Sequence, residues 1–277
     1  MVFQIEPKTI VAACALCVLW LAERQFPFFL DFWRGAGGGR DRVRHDAKNV
    51  ALGVANALIA TAVAGGLLVA VEVASGEVGL LRWLSLGAVA TVVLALLLLD
   101  FWTYVWHRLN HVVPFLWRFH RMHHSDPNVD ASTGVRFHTG EIVMSGLARA
   151  ALLPILGLSL AQLALYDAIL LPLVLFHHSN VGLPRWLDYG LTWCVVTPAM
   201  HRVHHSCWRP ETDSNFASIL PLWDRLFRTF GLRDDAHTIH LGLVEFEDRK
   251  WQTLWGMART PAASLERDAA SSGQFSP

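Results

Sequence analysis

Ten of the fourteen histidines in this chain stand in four short clusters. His107 and His111 are spaced i, i+4. His120, His123 and His124 are spaced i, i+3, i+4, and His201, His204 and His205 repeat that pattern. On a helix each set falls on one face, so each triplet can present its imidazoles to a common centre and two triplets can enclose a pair of ions. Neutral imidazole suits iron, zinc, copper and nickel. His177 and His178, in HHSN, form the fourth cluster; His178 is the better ligand candidate, and His177, His138 or a water is left to complete the shell. Asp100 and Tyr104 continue the His107/His111 stripe backwards at spacings of four and three. Asp100 is expected to orient a ligating imidazole through its other ring nitrogen. Asp126, Glu211 and Asp213 are further candidate acceptors for imidazole N–H groups, with solvated loop carboxylates as the alternative. Asn180 is a candidate to hold a metal-bound water or a ligand ring. His138 is either a ligand or a group that orders its loop with Arg136 and Glu141. His45, His237 and His240 lie outside the clusters.

The segments that carry these residues are apolar. The 277 residues are 53% hydrophobic and 17% charged, with a mean hydropathy of +0.35 and zero net charge. That charge balance gives no field to recruit nucleic acid. The twelve tryptophans suit a membrane interface. Residues 9–22, extended by Phe26 to Phe29, read as a tilted helix that anchors the chain. Cys14 and Cys17 within it read as small apolar residues. The link after it is basic (Arg34, Arg40, Arg42, Arg44, Lys48), and its glycines 37–39 predict irregular structure. By the positive-inside rule it is cytoplasmic. Residues 50–74 form a second span, and a third starts at 84 and runs into the first histidines. Residues 142–176 make either a hairpin of two short spans or a re-entrant pair. Every histidine cluster then falls on the cytoplasmic side.

The expected fold is all-α: an integral, multi-pass membrane bundle of about four spans, one pair of them short or re-entrant. A cytoplasmic helical cap holds a histidine-rich dimetal site. The chain divides into N-terminal spans and basic link (1–94), a catalytic domain (95–230), a C-terminal cytoplasmic segment (231–260) and a disordered tail (261–277).

HRLNH at 107–111, HRMHH at 120–124 and HRVHH at 201–205 resemble the three histidine boxes of the fatty acid hydroxylase and sterol desaturase superfamily. HSN at 178–180 and SNFASILPLWDRLFRTF at 214–230 resemble its later segments, so the likeness covers about 95–230. Some members supply a further HxxxH before the third box; here Leu173 and Val174 stand where that first histidine would be. The resemblance implies a non-haem di-iron centre held mainly by histidine, with O2 as co-substrate. It implies hydroxylation or desaturation of an unactivated C–H bond in a sterol, fatty acyl or related lipid. Electrons would come from an NAD(P)H-linked partner, a separate cytochrome, ferredoxin or reductase, since the chain has no haem, flavin or plant-type ferredoxin cysteine motif. Arg108, Arg118, Arg121 and Arg202 are candidates to steer that partner or to hold lipid headgroups. Within the class, an ether-lipid monooxygenase or a carotenoid hydroxylase is an alternative. Outside it stand a zinc-dependent membrane hydrolase, disfavoured because no HExxH is present, and a non-catalytic metal- or lipid-binding membrane protein.

Overall fold

The computed structural model describes residues 7–30, 32, 38–75 and 78–263. The tail assigned to 261–277 lies, from residue 264 onward, outside the described residues. Every named element among them is helical. Helix α1 (Pro7–Gln25) is followed by α2 (Gly38–Ala60), which passes through a π-helical stretch, Thr61–Gly65, into α3 (Gly66–Ser75). After the short α4 (Leu80–Trp83) come α5 (Ala88–Val112), α6 (Pro114–His124), α7 (Thr139–Leu156) and α8 (Leu160–His178). The remaining helices are short: α9 (Arg185–Leu191), α10 (Pro198–His204), α11 (Arg209–Thr212), α12 (Leu222–Leu226) and α13 (Leu254–Arg259).

Among the described residues, four helices are long and apolar enough to cross a membrane: Gly38–Val73, Ala88–Val112, Thr139–Leu156 and Leu160–His178. Their outward faces carry large apolar side chains such as Leu58, Val73, Val89, Val93 and Ile155. Such surfaces would be costly in water and are at home in lipid. The chain is an integral, multi-pass membrane protein. Helix α1, which carries Lys8, Glu23 and Arg24 in its sequence, is not one of the four; it packs along α8.

From Gly38 onward the basic link is helical rather than irregular as its glycines suggested; Arg34 and Gly37 lie outside the described residues. Helix α2 begins at Gly38 and takes in Arg42, His45 and Lys48. Arg42, His45, Asn49 and Asn56, spaced 3, 4 and 7, form a buried polar stripe. Its tertiary partners outweigh the poor helix propensity of glycine. The 142–176 region is a hairpin of two full-length helices. Gly157, at φ 68°, caps α7, and Ser159 and Gln162 form a capping box that starts α8. The turn touches the α3–α4 link so closely that a Cβ on Gly79 would lie 2.2 Å from Gly157 N.

The chain therefore runs away from one end of the bundle along α2–α3, returns along α5, leaves along α7 and returns along α8. The start of α2 and the C-terminal ends of α5 and α8 meet at that end. Helix α6 folds back from α5 after Val113, with Pro114 at its first position where a missing N–H costs nothing. The 231–263 segment wraps the same end. Phe246 and Met257 are buried there, Gln252 bonds Ser125 O and Arg136, and Arg121 donates to Thr260 O and Ala263 O.

Candidate metal centre

All four histidine clusters lie at C-terminal ends: of α5, α6, α8 and α10. There the helix dipole favours a cation. Nine imidazoles converge as two groups. His107, His111, His120, His124 and His204 form one, and His123, His178, His201 and His205 form the other; within each group one nitrogen per ring lies within 4.8 Å of all the rest. The groups interleave, since α6 and α10 each supply both, and the His124 and His205 rings stack at 4.5 Å.

Outer partners fix the rings. The Nδ1 of His107 faces Phe216 O at 2.8 Å, that of His204 faces Ser214 O at 2.6 Å, and that of His178 faces Val174 O at 2.7 Å. The Nδ1 of His123 faces Arg136 O at 3.2 Å, that of His120 faces Glu141 Oε1 at 2.8 Å, and that of His111 faces Asp213 Oδ1 at 3.4 Å. With Nδ1–H donating outward, Nε2 of each ring is an inward lone pair. The inward nitrogens meet: Nε2 atoms of His107 and His204, of His123 and His178, and of His178 and His201 are each 3.0 Å apart. Two nitrogens bound to one ion at about 2.0–2.1 Å would lie roughly 2.9–3.4 Å apart at angles between square and tetrahedral. Nε2 of His111, His120, His124 and His205 has no protein partner although buried. Buried polar atoms are paired in native proteins, so these donors fit metal ions. Burial, reinforced by neighbouring imidazoles, holds His123, His124, His201, His204 and His205 well below the usual imidazole pKa. Neutral rings are the ligating form.

Aromatic side chains wall the centre off. Phe137 stacks on His123 at 4.4 Å, Trp117 packs on His111 and His124, and Phe216 packs on His107, His111 and His204.

Several expected roles fall elsewhere. His177 belongs to neither group, although its ring is 4.1 Å from that of His201. Asp100 touches no imidazole: it accepts from Trp223 Nε1 (2.8 Å), Tyr166 OH (3.1 Å) and Leu220 N (3.2 Å), because it lies two helical turns from His107 at the level of those donors. Tyr104 bonds Thr229 and backs Phe216. Asp126 does accept from an imidazole, but that of His45, at 2.9 Å. Opposed by burial, His45, Arg136 and Thr133 nonetheless hold its carboxyl well below the usual range. Asn180 pairs with the Phe29 backbone and fastens the segment after α1. His138 caps α7 through Gly140 N, and Glu211 pairs with Arg233. Arg121 and Arg202 are buried on backbone carbonyls, so of the four proposed steering arginines only Arg108 and Arg118 are exposed. His237 and His240 are exposed.

Two supporting carboxylates were not foreseen. Glu141 holds His120. Asp224 accepts from Phe216 N (2.8 Å), Ala217 N (3.0 Å) and Thr229 Oγ1 (2.7 Å). With Asn215 in the left-handed region at φ 52°, it shapes the turn whose Ser214 and Phe216 carbonyls hold His204 and His107. Neither residue neighbours a box in sequence; each was recognisable only as an acid within an otherwise apolar or amphipathic stretch.

A membrane bundle that ends in two groups of inward-facing imidazoles defines a polyhistidine dimetal-type membrane protein. Residues 92–229 match the model of the fatty acid hydroxylase family. The chain belongs to the fatty acid hydroxylase/sterol desaturase superfamily. It is 33% identical over 139 residues to an ornithine lipid hydroxylase, OlsE, of Rhizobium tropici, covering 50% of this chain and 41% of that one. It is 30% identical over 177 residues to human alkylglycerol monooxygenase (58% and 38%), and 27% identical over 143 residues to human cholesterol 25-hydroxylase (50% of each). The matches thus span only 41% and 38% of the first two relatives' length. No solved structure matches the chain.

Proposed function

We propose that this protein is an O2-dependent oxidoreductase that hydroxylates an unactivated C–H bond of a lipid at a di-iron centre. The observation that carries the reading is the pair of imidazole groups with outward-anchored Nδ1 and inward Nε2. His107, His111, His120, His124 and His204 would hold one iron, and His123, His178, His201 and His205 the other, with His177 beside the second. When bound, an iron pair supplies the redox chemistry and oxygen activation that side-chain acids and bases lack. The chain's own residues hold the donors rigid through Glu141, Asp213 and the backbone carbonyls. Phe137, Trp117 and Phe216 exclude water. The relatives are named as a hydroxylase of an ornithine lipid, a monooxygenase of alkylglycerols and a hydroxylase of cholesterol. That shared naming favours hydroxylation over desaturation and an apolar lipid as substrate class.

The basic start of α2 shares one end of the bundle with the histidines, since His45 reaches Asp126. By the positive-inside rule that shared end supports a centre on the cytoplasmic side. A separate NAD(P)H-linked donor would dock there, with Arg108 and Arg118 exposed to steer it.

The test is metal analysis of anaerobically purified protein, with lipid mass spectrometry of cells that do and do not make it. The expected result is iron in the protein and a lipid that gains one oxygen atom. His123→Ala and His204→Ala should each lose metal and product together. Full metal content and turnover in both folded variants would refute the assignment.

A further inference from the structure

Beside the polyhistidine centre, and sharing no residue with it, lies a second buried set of metal-type donors. His45, Asp46 and Asp130 each place a ligand-capable atom within 4.8 Å of the other two. His45 Nδ1 is 3.3 Å from Asp46 Oδ1 and 3.4 Å from Asp130 Oδ2. We propose that these three residues form a separate binding site for one divalent transition-metal cation.

Four observations support it. First, two oxygens in or next to the set are buried with no hydrogen bond: Asp130 Oδ2, on a residue 1% exposed and 3.4 Å from His45 Nδ1, and Asn49 Oδ1, on a residue 0% exposed. Asn49 belongs to the same cluster, since its Nδ2 donates to Ser132 Oγ at 2.9 Å, and Ser132 Oγ in turn donates to Asp130 Oδ1 at 2.7 Å. Buried acceptors of this kind are rare unless something fills them.

Second, Asp126 receives His45 Nε2 at 2.9 and 3.0 Å. With Nε2–H donating to that carboxylate, Nδ1 is the ring nitrogen that faces Asp46 and Asp130 and would ligate a bound ion, the arrangement that orients ligating histidines in metal sites.

Third, carboxylates surround the site. Among the described residues, Glu23, Asp46 and Asp126 face the guanidinium groups of Arg42 and Arg136, while Asp126 and Asp130 face His45. Lys48 turns its ammonium to Gln252 O, and exposed Arg24 lies over the Trp20 ring. A divalent ion seated among these oxygens would be paired with them. The His45 Nδ1 contacts of 3.3 and 3.4 Å are longer than the roughly 2.7–2.9 Å of a charged hydrogen bond. Buried charge without compensation is costly.

Fourth, the site has an entrance. A cavity of about 400 Å³ between α1 and α2, walled by Leu16, Cys17, Trp20 and Val50, ends on Asp46 and Asp130. One imidazole with carboxylate oxygens suits manganese, zinc or ferrous iron over the purely oxygen-seeking calcium and magnesium.

The test is equilibrium dialysis of the chelator-stripped full chain, in detergent, against manganese and separately against zinc, with metal counted per chain. Asp46→Asn and Asp130→Asn should each bind one equivalent less than the wild type. His204→Ala should retain that equivalent, so that failure of the polyhistidine reading is distinguishable from failure of this one. Asp130 caps a turn and its variant is the more liable to misfold; Asp46, at the edge of the set, is the decisive one. Folded Asp46→Asn that binds as many equivalents of both metals as the wild type overturns the proposal.

Discussion

Glu141 gives the sharpest test of how the imidazoles are held. Its Oε1 accepts from His120 Nδ1 at 2.8 Å and from Asn110 Nδ2 at 3.2 Å, and the residue is 4% exposed. Glu141→Ala leaves two buried donors without an acceptor, at about 1–3 kcal/mol each, and frees the His120 ring to turn. Loss of a ligand's outer partner typically weakens metal binding about 10- to 100-fold, or roughly 1.4–2.8 kcal/mol; the alanine variant should sit at the upper end. Glu141→Gln keeps a carbonyl acceptor and the side-chain volume. It gives up only the charge on the hydrogen bond, and a charge-assisted bond is about twice as strong as a neutral one. Its loss should be nearer tenfold. The assay is chelator competition on purified protein, with metal counted per chain and circular dichroism to confirm the fold. The order wild type, Gln, Ala in retention of one metal equivalent is the expected result. Equal retention in all three folded proteins would show that Glu141 plays no part in orienting His120.

Asp126→Asn strips the charge that faces fully buried Arg136 at 3.6 Å. Breaking such a pair costs about 3–5 kcal/mol, so thermal unfolding in detergent should drop by many degrees; an unchanged midpoint refutes it. Asp100→Asn removes an acceptor from among the Trp223, Tyr166 and Leu220 donors and should cost about 1–3 kcal/mol. Metal content should hold, because Asp100 touches no imidazole; metal loss from an intact fold would contradict this. Burial lifts the Asp224 carboxyl from 3.8 to about 6 against the opposing bonds from Thr229, Ala217 and Phe216. Folded protein then holds this proton more tightly than unfolded protein. The group's contribution is full below pH 3.8 and lost as pH rises through about 6. Asp224→Asn should flatten that part of the stability–pH curve, and an identical slope in both proteins would count against the burial argument.

The histidine clusters were legible because ligand chemistry leaves its mark locally: i, i+3, i+4 spacing is enough to align imidazoles on a helix end. The spans were legible for a similar reason, since lipid demands long apolar runs. What could not be read were partners far apart in the chain. Asp100 sits on the same stripe as His107, which suggested a shared task, but its donors come from residues 166, 220 and 223. Asp126 was expected to serve a neighbouring box and instead serves His45, 81 positions upstream. His45 itself lies beyond three glycines in a segment whose local composition opposes a helix; only the buried stripe of α2 accounts for it. The 231–260 segment reads as polar, yet Gln252 and Phe246 close the base of the turn after α6 around Arg136.

The two imidazole groups are not equivalent, and the difference lies in what stands behind them. The five-imidazole group is backed by two carboxylates, Glu141 on His120 and Asp213 on His111, as well as by the carbonyls of Phe216 and Ser214. The four-imidazole group is backed by carbonyls alone, Arg136 O on His123 and Val174 O on His178, and Nδ1 of two of its rings, His201 and His205, has no hydrogen bond, against one, His124, in the first group. An imidazole whose N–H meets a carboxylate is the stronger donor, so the first group combines more ligands with more basic ones. An ion held there would have more donors around it and would be less electrophilic. The second group has one donor fewer, weaker support and His177 at its flank, 4.1 Å from His201. A small exogenous ligand therefore has more to gain on the four-imidazole side. The shorter sequence cluster, HHSN at the end of α8, is the one that borders it.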